Sequence, residues 1–218
     1  MQRIERQIHH YGSGLNALPL IYEFEANPTD LYLLRLGYSG LMGSQTNIDQ
    51  SGFASAAFHT FPDTLKWDAY SGDYGPNLSG SAMGIGAFLI QHPDFGWQVY
   101  GGRVTSSSST IEVTILDHGR RRVYIAALGT LFSLDAGAFV GLSYNPSTKR
   151  ATFTIASKPS VPSTAAAAAQ GRIVVTQMAT ISGVGSILPT TSLTLSAGAY
   201  TVPFSSSSAT VAFSPGGV

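Results

Sequence analysis

The stretch RRVYIAALGTLFSLDAGAFVGLSYNPSTKRATFTIAS (121–157) decides the fold. It divides into RRVYIAAL, TLFSLDAG, AFVGLSYN and RATFTIAS, each rich in Val, Ile, Thr, Tyr and Phe. Short runs of these residues between turn signals predict strands. Asp135-Ala136-Gly137 marks one turn. Asn145-Pro146-Ser147-Thr148 marks another, a four-residue hairpin loop with Pro at its second position. Upstream, GWQVYGGRV (96–104) and STIEVTIL (109–116) continue the pattern, with turns at Gly101-Gly102 and Asp117-His118-Gly119. Downstream, a Pro-, Ser- and Ala-rich linker (157–170) precedes RIVVTQ (172–177), SLTLSA (192–197), AYTVPF (199–204) and ATVAFS (209–214). About ten short strands at this spacing predict an antiparallel β-sandwich, built from 95–158 and completed by 171–218.

The first 94 residues read differently. Residues 2–10 are polar, with Ile4 and Ile8 at helical spacing. LNALPLIYEFEAN (15–27) is densely apolar and predicts a helix started or bent near Pro19. Thr29 or Asn27 can cap a second helix over DLYLLRLGYSGLM (30–42), ending at Gly37 or Gly40. Residues 43–80 show no clean period but carry Phe53, Phe58, Phe61, Trp67, Tyr70 and Tyr74 among glycines and prolines. A loop this long with so many aromatics points to function rather than disorder. LSGSAMGIGAFLIQ (78–91) suggests a glycine-rich helix in close packing. The expected class is therefore α+β and β-dominated: a helical region over 1–94, then a sandwich.

Charge narrows the chemistry. The chain has 218 residues, 12 basic and 12 acidic, and no cysteine. Zero net charge argues against electrostatic capture of nucleic acid or an anionic membrane. The absence of cysteine excludes disulfides, zinc–thiolate sites and cysteine nucleophiles. No apolar run suits a membrane helix, and the N-terminus lacks the apolar core of a signal peptide. Only 11% of residues are charged, a profile suited to an extracellular β-rich protein solvated by hydroxyls. The last acidic residue is Asp135, so carboxylate chemistry must lie before it.

KWDAYSGDYGPN (66–77) is the densest candidate. Glycoside hydrolysis usually needs two carboxyl groups about 5.5 Å or roughly 6.5–9.5 Å apart. A turn through Ser71-Gly72 can bring Asp68 and Asp73 into either range, with Trp67, Tyr70 and Tyr74 as platforms for sugar faces. The alternative is that both aspartates merely stabilise turns. The same acids lack the spacing of a calcium loop, so no metal is expected. His10, Tyr11 and Asn16 form a second polar cluster that could line a cleft or sit solvated at a helix end. Trp97 can be core or ligand platform. Arg120-Arg121-Arg122 reads as a solvated hairpin end. Nucleophile-elbow, phosphate-loop, metalloprotease and dinucleotide motifs are absent, and no cofactor is expected.

Longer stretches carry a resemblance. SGLMGSQTNIDQSGFASAAFHTFPDTLKWDAYSGDYGPNLSG (39–80), HPDFGWQVYGG (92–102) and GRRRVYIAALGTLFSLDAGAF (119–139) resemble the C-terminal part of a family of large secreted microbial and fungal proteins. HHYGSGLNALPLIYEFEANPTDLYLLRLGYSG (9–40) resembles the same family, an uncharacterised domain related to six-hairpin glycosidases. The resemblance implies an (α/α) toroid joined to β-sandwich domains, a secreted location, and a polysaccharide or oligosaccharide as substrate. It supplies no catalytic residues. The few helices read here are far fewer than a toroid needs. That implies a fragment, inactive without an upstream helical partner domain. The competing expectation is a non-catalytic glycan-binding or structural sandwich module.

Overall fold

The structure is a computed structural model that describes residues 12–45, 86–117, 119–158 and 166–216, with Ile8–His9 and His59–Thr60. Side chains of the helical region are described over 17–42. The chain divides into two compact units, one of Met1–Phe24 and Asp30–Ile85, the other of Glu25–Thr29 and Gly86–Val218.

In the first unit, β1 (Ile8–His9) pairs antiparallel with β2 (His59–Thr60), so these two residues depart from the helix expected over 2–10. Helix α1 (Gly12–Ala26) accommodates Pro19 within it, and α2 (Leu31–Gln45) follows. Ala17, Ile21 and Phe24 are buried at i, i+4 and i+7 on α1, and Leu34 and Leu41 on α2. That is the one-sided stripe of an amphipathic helix. Gly37 belongs to this packing: a Cβ there would lie 3.0 Å from Ile21 Cδ1 and 3.2 Å from Leu20 Cβ. It permits close approach rather than ending the helix, which runs on past Gly40. Asp30, not Thr29 or Asn27, is the cap. Its Oδ1 accepts from the backbone N–H of Tyr32 (3.1 Å) and Leu33 (3.3 Å).

The second unit is a sandwich. Its strands are β3 (Ala87–His92), β4 (Gly96–Tyr100), β5 (Gly102–Ser107), β6 (Ile111–Ile115), β7 (Arg122–Ile125), β8 (Thr130–Leu134), β9 (Ala138–Asn145), β10 (Arg150–Ala156), β11 (Gln170–Gln177), β12 (Ile187–Pro189), β13 (Thr194–Ser196), β14 (Ala199–Pro203) and β15 (Ser208–Pro215). Among the described residues, one sheet runs β12-β15-β10-β9-β6-β5 and the other β13-β14-β11-β8-β7-β3-β4. The pairs are antiparallel except β3 with β7. Alternation builds the core: Ile111, Val113 and Ile115 point inward on β6, and Ala151, Phe153 and Ile155 on β10. Phe132 of one sheet meets Phe153 (4.6 Å) and Phe213 (5.4 Å) of the other, joining the sheets through aromatic contacts.

Two expectations need correction. Within 78–91, the part from Ala87 is strand β3, and 78–85 lies outside the described residues. The strands of the sandwich therefore begin at Ala87, before residue 95. The run AFLI (87–90) is buried throughout. Ala87 and Leu89 join the sandwich core. Phe88 and Ile90, on the opposite face by the period of two, are buried as well. A strand covered on both faces loses its alternation and cannot be told from a buried helix by periodicity. The second correction is smaller: RRVYIAAL splits into β7 and a 3-10 turn at Ala126–Leu128, closed by Gly129 at φ 60°.

Candidate functional site

Asp68, Asp73, Trp67, Tyr70, Tyr74, His10 and Tyr11 lie outside the described residues. Asn16 lies on α1, its side chain outside them.

Most carboxylates of the described residues are engaged in building the fold. Asp117 Oδ2 accepts from Arg120 N at 2.7 Å, and Asp135 Oδ1 from Arg172 N at 2.7 Å. Glu112 Oε1 accepts from the Ser143 hydroxyl at 2.7 Å across β6 and β9. Asp94 lies in the exposed β3–β4 turn beside His92. Glu25 is fully buried, with Oε1 3.3 Å from Arg122 Nη2. Tyr124 donates its hydroxyl to the Glu25 carbonyl at 2.8 Å. Burial pushes the Glu25 carboxyl above its ordinary range, outweighing the attraction of Arg122. Arg122 is thus part of a buried pair, while the Arg121 guanidinium donates to the carbonyls of Leu134 and Asp135. Arg121 and Arg122 of the basic run are therefore structural, not a solvated hairpin end. No group of three or more His, Asp or Glu able to hold a metal occurs among the described residues.

Two depressions of the second unit are lined by described residues. One, of about 360 Å³, is lined by Val175, Gln177, Thr180 and Val184–Ile187. Its amide is already committed: Gln177 Nε2 donates to Leu128 O (2.8 Å) and Ala179 O (2.6 Å), and Oε1 accepts from Thr130. Its other polar side chains are the Thr180 and Ser186 hydroxyls, and it holds no aromatic or charged residue.

The other is a shallow groove of about 340 Å³ lined by Trp97, Gln98, Val99, Tyr100, Gly102, Arg103 and Val104. It lies where the chain passes between sheets. Strand β4 is the edge of one sheet and β5 the edge of the other, joined through Gly101 at φ 71°. Positive φ suits glycine, so this crossing can be tight. Gly102 continues it: a Cβ there would meet Thr114 O at 2.7 Å and Val99 Cγ2 at 3.2 Å. Trp97 and Val99 alternate inward against the core, leaving each partly exposed to the groove. The indole is fixed edge-on against Tyr144, centroids 5.4 Å apart at 64°. Trp97 thus packs on the core, as one of its two readings expected, and also lines the groove. Beside it, neither the Gln98 amide nor the Arg103 guanidinium has a hydrogen-bond or ion-pair partner among the described residues. The lining combines a rigid aromatic surface with unspent donors at a sheet edge. The sequence signal was W-Q-V-Y-G-G-R, in which a Gly-Gly crossing brings an aromatic strand and a basic strand to one edge.

A family model described as a family of unknown function (DUF5695) matches residues 1–212. The chain belongs to this family. Searches of the curated proteins and of the solved structures each found no match. The DUF5695 match spans the residues of both units, including those of the groove.

Proposed function

We propose that this DUF5695 chain serves a secreted, glycosidase-like, carbohydrate-active protein, and that its sandwich binds glycan without cleaving it. The observation that carries the reading is the β4–β5 groove, with a half-buried indole braced by Tyr144 next to Gln98 and Arg103, whose side chains have no partner among the described residues. Sugar rings present apolar C–H faces and hydroxyl rims, and such a groove offers a surface for the first and donors for the second. The engaged carboxylates support a binding role over hydrolysis for this unit. Cleavage, where the full protein performs it, is assigned to Asp68 and Asp73.

Native-gel mobility of the whole chain in a panel of soluble neutral and acidic polysaccharides tests this. Retardation by at least one glycan is expected, weakened roughly tenfold or more in Trp97→Ala, the scale of a central aromatic contact. Unchanged mobility in every glycan would sink the proposal. So would retardation that Trp97→Ala leaves intact while the variant remains folded.

A further inference from the structure

We infer that the β4–β5 groove selects glycans bearing uronic acid carboxylates, with Arg103 as the receptor for the anion; this rests on the glycan-binding reading above. The lining holds one cation and no acid. Arg103 stands opposite Thr114 on β6, so its cross-strand neighbour offers no charge. The acid nearest along that face is Glu112, paired with Ser106 beyond the bulge at Thr105. Its carboxylate is turned to the Ser143 hydroxyl instead. Arg103 makes no ion pair among the described residues.

The guanidinium is a planar fork that pairs with a carboxylate through two parallel hydrogen bonds. A uronate ring lying on Trp97 presents its carboxylate at the ring edge, the group the Arg103 fork is suited to hold. A single cation in a chain of zero net charge does not make a polyanion track, which sets this groove apart from a nucleic-acid surface. At about 340 Å³ it lies at the small end of ligand sites. Arg103 is exposed, so water and salt weaken its pull. The expected discrimination is therefore modest and falls with ionic strength.

Affinity gels and titration calorimetry of the whole chain test this with polygalacturonate, alginate and hyaluronate, each beside its carboxyl-reduced form. The acid form should bind about tenfold tighter than its reduced counterpart, the scale of a charge-assisted hydrogen bond. Arg103→Gln should abolish that difference, bringing the acid form down to the affinity of the reduced form measured with the same variant. Arg103→Lys should restore part of it. The exposed position lets these variants keep the wild-type melting midpoint, which the same samples report. Equal affinity for acid and reduced glycans would overturn the Arg103 assignment and leave glycan binding standing. Binding to neither form of any glycan would overturn both. Equally tight binding of polyglutamate would show ionic attraction without a sugar site and would also defeat the inference.

Discussion

Glu25 has no exposed surface, and its Oε2 finds no hydrogen-bond partner among the described residues, while Oε1 faces Arg122. A buried ion pair is costly to form and costlier to break, because removing one partner strands the other charge. Arg122→Ala leaves the buried Glu25 Oε1 without this partner and should therefore destabilise the protein by about 1–3 kcal/mol, read by urea denaturation. The pH dependence has a definite sign. The folded-state pKa of Glu25 lies above the ordinary 4.5, so above that pH the native state holds a proton that the unfolded chain has released. Stability contributed by this group is full below 4.5 and is lost as pH rises toward the folded value. Glu25→Gln should remove this falling limb when its urea midpoints are compared with wild type across pH 4–8, a range chosen to bracket the ordinary carboxylate value. A limb of equal slope in both proteins would refute the assignment. Little of this was visible in the sequence, where Glu23 and Glu25 sit two apart on one helix. Burial distinguishes them, and burial depends on contacts distant in sequence.

Strand β3 shows what local pattern can and cannot specify. The alternating strands β6 and β10 were legible because one face of each is buried and the other is not. β3 was not, because its first four residues are buried on both faces. The glycine before it also misled, since Met83-Gly84-Ile85-Gly86 resembles a close-packed helix in composition. Gly86 has a specific task instead. It stands at φ 87°, and a Cβ would lie 2.1 Å from the Arg122 carbonyl on the neighbouring β7. Gly86→Ala combines a forbidden backbone angle with a backbone clash, so its cost should exceed the ordinary 0.5–3 kcal/mol of a point substitution. Gly96 also has positive φ, but nothing lies within 4 Å of its added Cβ. Gly96→Ala should cost only the backbone strain, about 1–2 kcal/mol. Thermal midpoints of the two variants give the comparison. Equal losses would show that the close approach of Gly86 to β7 is not the constraint described.

Across the whole molecule, fold class was legible and the site only in part. The sandwich follows from strand-length runs and turn chemistry, which are local. The groove depends on two consecutive strands becoming edges of opposite sheets, a property of topology that neither run announces. Trp97 and Arg103 were therefore read separately, one as possible platform and the other not at all. The competing site, KWDAYSGDYGPN with Asp68 and Asp73, rests on sequence alone. The two readings can be separated because the chain has two tryptophans, Trp67 and Trp97, one in each. Trp67→Phe leaves Trp97 as the sole indole, and Trp97→Phe leaves Trp67. Each variant is titrated with the polysaccharide that retards the chain most strongly, while tryptophan emission is followed. The groove account predicts a saturable emission change in Trp67→Phe at near wild-type affinity, and weakened binding in Trp97→Phe. A response confined to Trp97→Phe, with the emission of Trp67→Phe unmoved, would contradict it and place the glycan on the 66–77 stretch.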